Sequence, residues 1–199
     1  MQEKIERRSN RERTEATRGD LVAAARRLFI ERGYADTATP EIVAAAGVTR
    51  GALYHHFEDK KALFREVCER EAAAVADEIE AAAPETIGAR EALLSGGEAY
   101  LAAMARPGRT RLLLLDGPAV LGRAGMDEID SRHGIRSLRA GIVFAVRGGV
   151  MDKNLPVDAI THLLSSAFDR AALAIDAGSH GDDYRIALRA LVGGLMNDG

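Results

Sequence analysis

The sequence predicts an all-α protein of about nine helices, and three observations carry that expectation. Of the 199 residues 47% are hydrophobic but only 5% are aromatic, with no Trp. Alanine and leucine supply most of the apolar content, and both favour helix. Apolar residues recur at three- and four-residue spacing in segment after segment, and glycine or proline ends the segments. Neither strand alternation nor an internal repeat appears. No apolar run reaches the ~18–20 residues that cross a bilayer, so no membrane partner is expected. The opening MQEKIERRSNRERTEATRGD is too charged to read as a secretory signal. Cys68 is the single cysteine, which excludes a disulfide framework and an all-cysteine metal site and fits a reducing cytoplasm.

Residues 1–16 are dense in charge and lack apolar periodicity, so they read as a flexible arm. Arg7, Arg8, Arg11 and Arg13 suit a minor groove or phosphates; equally, the interspersed glutamates suit a solvated tail. The first helix is expected from Thr17, where Thr17-Arg18-Gly19-Asp20 resembles a capping box, with a stripe of Leu21, Ala24, Ala25, Leu28 and Phe29 and a stop at Gly33. The second opens with Thr39 as N-cap and Pro40 at its first position, buries Ile42, and breaks at Gly47. The third begins at Thr49 and spans Arg50 to His56, with Val48, Leu53 and Phe57 inward. The fourth starts at Asp59 or Lys60 and runs to Ala83; its roughly 24 residues would span ~36 Å.

Helical pattern continues beyond Pro84. A fifth helix is expected over Thr86–Ala105, and a sixth near Thr110, where Leu112 to Leu115 should be buried because they are apolar all round, up to Gly117-Pro118. A seventh is expected over Met126–Val146. An eighth follows Pro156 with a stripe including Ile160, Leu164, Phe168 and Ala171, and a ninth carries Leu188, Leu191, Val192 and Leu195.

Chemistry concentrates in Thr37–Leu63, TATPEIVAAAGVTRGALYHHFEDKKAL. Two short helices joined by a tight turn lead into a third, and Arg50 and Tyr54, four residues apart, share the face away from the core. Arginine can donate two hydrogen bonds to guanine, and tyrosine can pack on a thymine methyl or donate to phosphate. Residues 1–70 hold 14 basic and 12 acidic side chains, whereas 71–199 hold 13 and 18, so only one end of the chain is mildly basic.

These residues carry a resemblance. LFIERGY at 28–34, PEIVAAAGVTRGALYHHF at 40–57 and DKKALF at 59–64, in register, resemble the DNA-binding domain of the tetracycline-repressor (TetR) family of bacterial transcription regulators. The resemblance implies a three-helix helix-turn-helix domain at 17–63 after the arm, joined by the long fourth helix to an α-helical effector-binding and dimerisation domain at 64–199. It implies that Thr39 touches phosphate, that Thr49, Arg50, Gly51 and Tyr54 face the major groove, and that His55 and Lys60 contact phosphate. Lys61 departs from the acidic residue frequent in the family. LLLLDGPAVLG at 112–122 is similar to a segment of some members but names no ligand.

Tyr100, Met104, His133, Phe144, His162, Phe168 and Arg170 are candidates to line an effector pocket. Ile160, Leu164, Ala167, Ala171, Leu188, Leu191, Val192 and Leu195 are candidates for a four-helix interface between two copies. No catalytic residue, cofactor or metal is expected: no carboxylate pair or phosphate loop stands in a catalytic context, and adjacent His55 and His56 point ~100° apart on a helix. The expected function is a cytoplasmic, ligand-responsive repressor that binds a palindromic operator on double-stranded DNA as a homodimer, its effector unknown and largely apolar. The alternatives are a DNA-binding regulator without small-molecule effector and a helical enzyme or carrier.

Overall fold

The computed structural model describes residues 10–83 and 87–197. Its elements are α1 (Asn10–Arg32), α2 (Thr39–Ala46), α3 (Arg50–His56), α4 (Lys60–Ala82), α5 (Ala89–Met104), a π-helical segment (Arg111–Asp116), α6 (Gly117–Arg132), α7 (Gly134–Arg147), α8 (Val157–Asp176) and α9 (Gly181–Gly193). Among the described residues the sole β-type pairing is an isolated bridge between Met151 and Met196, and no helix is long and apolar enough to cross a membrane. The chain divides into two compact units, 1–67 and 68–199, with the division inside α4.

In the first unit α1 packs on α2 and α3. Leu21, Ala25 and Phe29 of α1 meet Ile42, Leu53, Leu63 and Phe64 in a core where all are fully buried. Phe29, Tyr34 and Phe64 stack edge-on or tilted, with centroids 5.0–5.7 Å apart. Two expectations are corrected here. α1 begins at Asn10, not Thr17, because Arg, Glu and Ala are strong helix formers and extend the helix without an apolar stripe. Arg11 and Arg13 therefore belong to a helix, while Arg7 and Arg8 lie outside the described residues. The N-cap of α2 is Ala38, not Thr39. Alanine has no oxygen to cap with, and Glu41 compensates by accepting from the Ala38 N–H at 3.0 Å. Gly47 closes α2 with φ 66°, a left-handed conformation that glycine adopts without strain.

In the second unit α5 packs on α7, α8 and α9, with α7 also on α6 and α8. The part of α4 within this unit is tied by charge. Arg109, 4% exposed, donates to Glu71 at 3.0 Å, to Glu78 at 3.1 Å and to the Ala103 carbonyl at 2.9 Å. Arg132 grips Glu69 with two bonds of 3.0 and 2.7 Å, and the His133 ring meets the same carboxylate at 2.8 Å. That triad stands where the expected Met126–Val146 helix breaks: His133 leaves helical geometry (φ −123°, ψ −95°), so the segment becomes α6 and α7.

The leucine run also departs from expectation. It forms a π-helix, in which the Gly117 N–H reaches back to the Leu112 carbonyl. Pro118 has no N–H to continue an α-helical ladder, and a side chain on Gly117 would collide with Met126 Sδ at 2.8 Å. Leu112 and Leu113 are buried, but Leu115 is 51% exposed. Cys68 is buried and its thiol points at the Leu112 carbonyl, 3.8 Å away.

Substituting Arg109→Met should destabilise the second unit by about 3–5 kcal/mol, because it leaves the Glu71 charge buried beside an apolar side chain. Urea unfolding followed by circular dichroism measures the loss; a change below ~1 kcal/mol would show that the buried ion pair contributes nothing.

Candidate nucleic-acid interface

α3 is placed by its two ends. Thr49 Oγ accepts the Ala52 N–H at 3.2 Å and caps the helix, and Phe57 buries itself just beyond the last turn. Between them Leu53 is fully buried, which turns Arg50, Gly51, Tyr54 and His55 to the outside. The Arg50 guanidinium lies 5.4 Å from the centre of the Tyr54 ring, itself 44% exposed. Such stacking contributes roughly 0.5–1 kcal/mol at exposed sites and holds the arginine fork in one orientation. A Cβ on Gly51 would meet only Thr49 Oγ at 3.8 Å, so nothing within the subunit requires glycine there. His55 is exposed and packs edge-on to His56. Burial, then the neighbouring His55 and Arg18 charges, holds the His56 proton affinity below the ordinary histidine value.

α2 is oriented by the connection before it. Thr37 is buried and its hydroxyl faces the Gly33 and Leu28 carbonyls at 2.7 and 3.2 Å. Thr39 is half-buried in the first turn of α2. Lys60, expected at phosphate, has partners inside the subunit. Its Nζ donates to the Tyr34 carbonyl at 2.8 Å and to the Thr37 carbonyl at 3.0 Å, and lies 4.2 Å from the centre of the Tyr34 ring. Arg18, whose pattern gave no hint of a role, reaches Glu66 at 2.5 Å and lies 4.9 Å from the Phe57 ring centre, joining α1 to α4 and to the end of α3. Glu41, also unforeseen, pairs with Arg32; its signal was its place three residues after the N-cap.

The seven expected pocket residues do not converge on one cavity. Tyr100 and Phe168 meet edge-on at 5.8 Å, and Tyr100 donates its hydroxyl to Asp169. Met104 is buried in the core and His133 is engaged by Glu69. Phe144, His162 and Arg170 are exposed, because the stripes of α7 and α8 turn other residues inward. A half-open cleft of about 10 Å³ beside Phe168 is bounded by Leu93, Gly97 and Leu188 on its inner side and by Glu98, Arg185 and Arg189 at the surface. An open groove of about 880 Å³ runs along α5 past Arg90, Glu98 and Arg189, and none of the seven lines it. Of the expected interface residues, Leu164, Ala171, Leu188 and Val192 are core residues of the subunit. Ile160, Ala167 and Leu195 are half-buried and Leu191 is 56% exposed. The apolar residues that α8 and α9 present outward are Leu163, Ile186 and Leu191. No group of three potential metal ligands occurs among the described residues.

Comparison with known proteins adds to this geometry. Residues 21–67 match the model of bacterial regulatory proteins of the tetR family, and residues 90–197 match a tetracyclin repressor-like C-terminal domain. The HTH-type transcriptional regulator AcrR of Shigella flexneri is 45% identical over 62 residues, which is 31% of this chain and 29% of that protein. The transcriptional activator FasR of Mycolicibacterium smegmatis is 34% identical over 94 residues, 47% of this chain and 43% of that protein. The matches thus span less than half the length of these curated relatives. A crystal structure of a TetR-family transcriptional regulator from Pectobacterium atrosepticum superposes with a TM-score of 0.75 and 32% identity, covering 96% of this chain and 99% of that one.

One half-buried acid near the Tyr100–Asp169 pair gives a pH signature. Burial, then the charges of Asp169 and Asp127, pushes the Asp130 carboxyl up to about 6. Because that value is raised on folding, the folded chain holds a proton that the unfolded chain releases near pH 4. The Asp130 contribution is therefore favourable below pH 4 and is lost as pH rises through 6. Asp130→Asn should raise stability over the wild type at pH 7 and narrow that advantage at pH 5. Denaturant unfolding of both proteins at the two pH values checks this; an advantage independent of pH would contradict it.

Proposed function

Because the chain belongs to the tetR family of bacterial regulatory proteins, we propose that it is a homodimeric repressor of transcription that reads a palindromic operator with α3. The observation that carries the reading is the outward face of α3, where Arg50 is laid over Tyr54 beside a glycine whose missing side chain nothing in the subunit demands. Arg50 donates to a guanine edge, and Tyr54 packs on a thymine methyl or donates to phosphate. Thr49 and His55 donate to the backbone flanking them, Thr39 at the start of α2 does the same one turn away, and Gly51 lets the helix axis approach the groove. Two copies bring two such faces to successive major grooves ~34–36 Å apart. The outward apolar side chains Leu163, Ile186 and Leu191 support pairing through α8 and α9, with Ala167 and the exposed Ala187 and Ala190 allowing close approach. A DNA regulator with no membrane-spanning helix among its described residues fits the cytoplasm.

Gel shifts against duplexes enriched from a random pool by the wild-type protein test this reading. Arg50→Ala and Tyr54→Ala should each lower affinity for the enriched palindrome at least tenfold, consistent with ~1–3 kcal/mol for one base contact. Failure to enrich any palindrome would sink the proposal.

Whether an effector switches DNA binding is a separate question with two readings. A largely apolar effector would act on the second unit and reach the first through α4, the helix both contain. Phe168, which lines the small cleft and meets Tyr100 edge-on, is its best foothold. The size of that cleft favours the other reading, a regulator without a small-molecule effector, since about 10 Å³ is at the lower limit for one water molecule. Native mass spectrometry of the purified protein decides between them: a bound small molecule supports the first, and Phe168→Ala should then change its occupancy. A protein that carries none, and whose stability no apolar library member raises, supports the second.

A further inference from the structure

We propose that Arg50 and Tyr54 read the operator as one unit, taking a guanine and a thymine on neighbouring base pairs and sensing the thymine through its methyl group. The proposal rests on the DNA-binding reading above and deepens it, from which residues read to what they read. The Arg50 guanidinium lies 5.4 Å from the centre of the Tyr54 ring, and both side chains are exposed. No hydrogen bond or ion pair among the described residues engages that guanidinium, so its N–H donors stay open. The Arg18 and Arg109 guanidinium groups, by contrast, are taken up by carboxylates. A planar fork of donors matches the O6 and N7 acceptors of guanine, a pair that no other base presents. The phenol ring offers an apolar surface, and the thymine methyl is the apolar group that bases present in the major groove.

The distance between the two side chains sets the distance between the two bases. A duplex rises ~3.4 Å per base pair and turns once in ~10 base pairs, so groove edges of neighbouring pairs lie roughly 4–5 Å apart and those of pairs two apart roughly 9 Å. A guanidinium and a ring held 5.4 Å apart match neighbours, and to span a further pair they must separate. Leu53 and Phe57, both buried, keep α3 from rolling to bring one group forward without the other. Gly51 lies between them in sequence, and a Cβ there would meet only Thr49 Oγ, so no side chain from that position stands between the pair and the groove. The ring also limits the rotamers that the arginine fork would otherwise lose on binding, so each side chain assists the other.

Base analogues in the enriched palindrome test this with the wild-type full chain, by gel shift. 7-Deazaguanine removes the N7 acceptor of one guanine at a time, and uracil removes the methyl of one thymine at a time. One guanine in each half-site should be sensitive, with affinity falling about fivefold or more. Uracil should lower affinity roughly fourfold at the thymine of the adjoining pair, the effect of one buried methyl group. With cytosine in that thymine's place binding should weaken, and 5-methylcytosine should recover about twofold or more over cytosine, because it restores the methyl. A sensitive guanine and thymine separated by one or more base pairs, no thymine sensitive to uracil, or 5-methylcytosine equal to cytosine each overturn the proposal.

The variants read the coupling. In Arg50→Ala the 7-deazaguanine effect should vanish. In Tyr54→Ala the uracil effect should vanish and the 7-deazaguanine effect should also shrink, by about twofold or more, since the fork loses its support. A full 7-deazaguanine effect in Tyr54→Ala shows two independent readers and overturns the joint one. Should a variant not fold, the base scan on the wild type decides alone. A wild type that enriches no palindrome overturns the DNA-binding reading and this proposal with it, whereas an enriched palindrome whose sensitive bases are not neighbours overturns this one alone.

Discussion

The first unit depends on the packing of two helices too short to exist alone. α2 with eight residues and α3 with seven are each shorter than the ~12–15 residues an isolated helix needs in water, so their geometry is set from outside. One anchor is the ring cluster of Phe29, Tyr34 and Phe64, which brings together α1, the connection after it and α4. The other is the pair Leu53 and Phe57, buried one turn apart on α3 and its C-cap. Once those two are inside, the helical period leaves Arg50 and Tyr54 no direction but outward. The outward face of α3 is thus a consequence of core packing on the opposite side of a seven-residue helix.

The second unit solves a different problem. α5, α7, α8 and α9 pack through apolar stripes, but the part of α4 in this unit presents Glu69, Glu71 and Glu78, and its ties run to Arg132, His133 and Arg109. Exposed ion pairs contribute little. The Arg109–Glu71 pair is different, because both partners are nearly removed from water and Arg109 Nη1 also donates to Glu78 and to a backbone carbonyl. A buried ionic tie has a defined geometry where an apolar contact would slide, which suits a helix that continues into another unit.

The sequence made most of this legible where the signal is local. Thr49 and Phe57 frame α3 to the residue, and Gly33 and Gly47 stop their helices where glycine reaches positive φ at no steric cost. It failed where the decision is tertiary. Ala38 stands at the N-cap of α2 without a capping side chain: its carbonyl accepts the Glu41 N–H at 3.0 Å, and the Glu41 carboxylate accepts the Ala38 N–H in return. The Met126–Val146 pattern is periodic throughout, yet it breaks at His133, whose partner Glu69 is 64 residues away. Lys60 is expected at phosphate from its place at a helix start, and only the folded positions of Tyr34 and Thr37 reveal that two carbonyls also converge on it. On α8 and α9 the stripes do not tell inner from outer edge: Leu164 and Leu188 are buried within the subunit while Leu163 and Ile186 are exposed. One position is 100° of helix, and an apolar residue on either flank of a stripe carries the same hydropathy.

The same confusion bears on the effector. Aromatic and polar residues on bundle helices look alike in sequence whether they line a cavity or fill it. Phe168 is 7% exposed, and its ring comes within 3 Å of where a Cβ on Gly97 would stand. The glycine and the phenylalanine are therefore fitted to each other, and that close fit is what leaves the cleft beside them so small. Any molecule that enters must first separate that pair, at the cost of dispersion contacts that a large buried ring makes on every side. A ligand able to do so has to present comparable apolar surface at the same place.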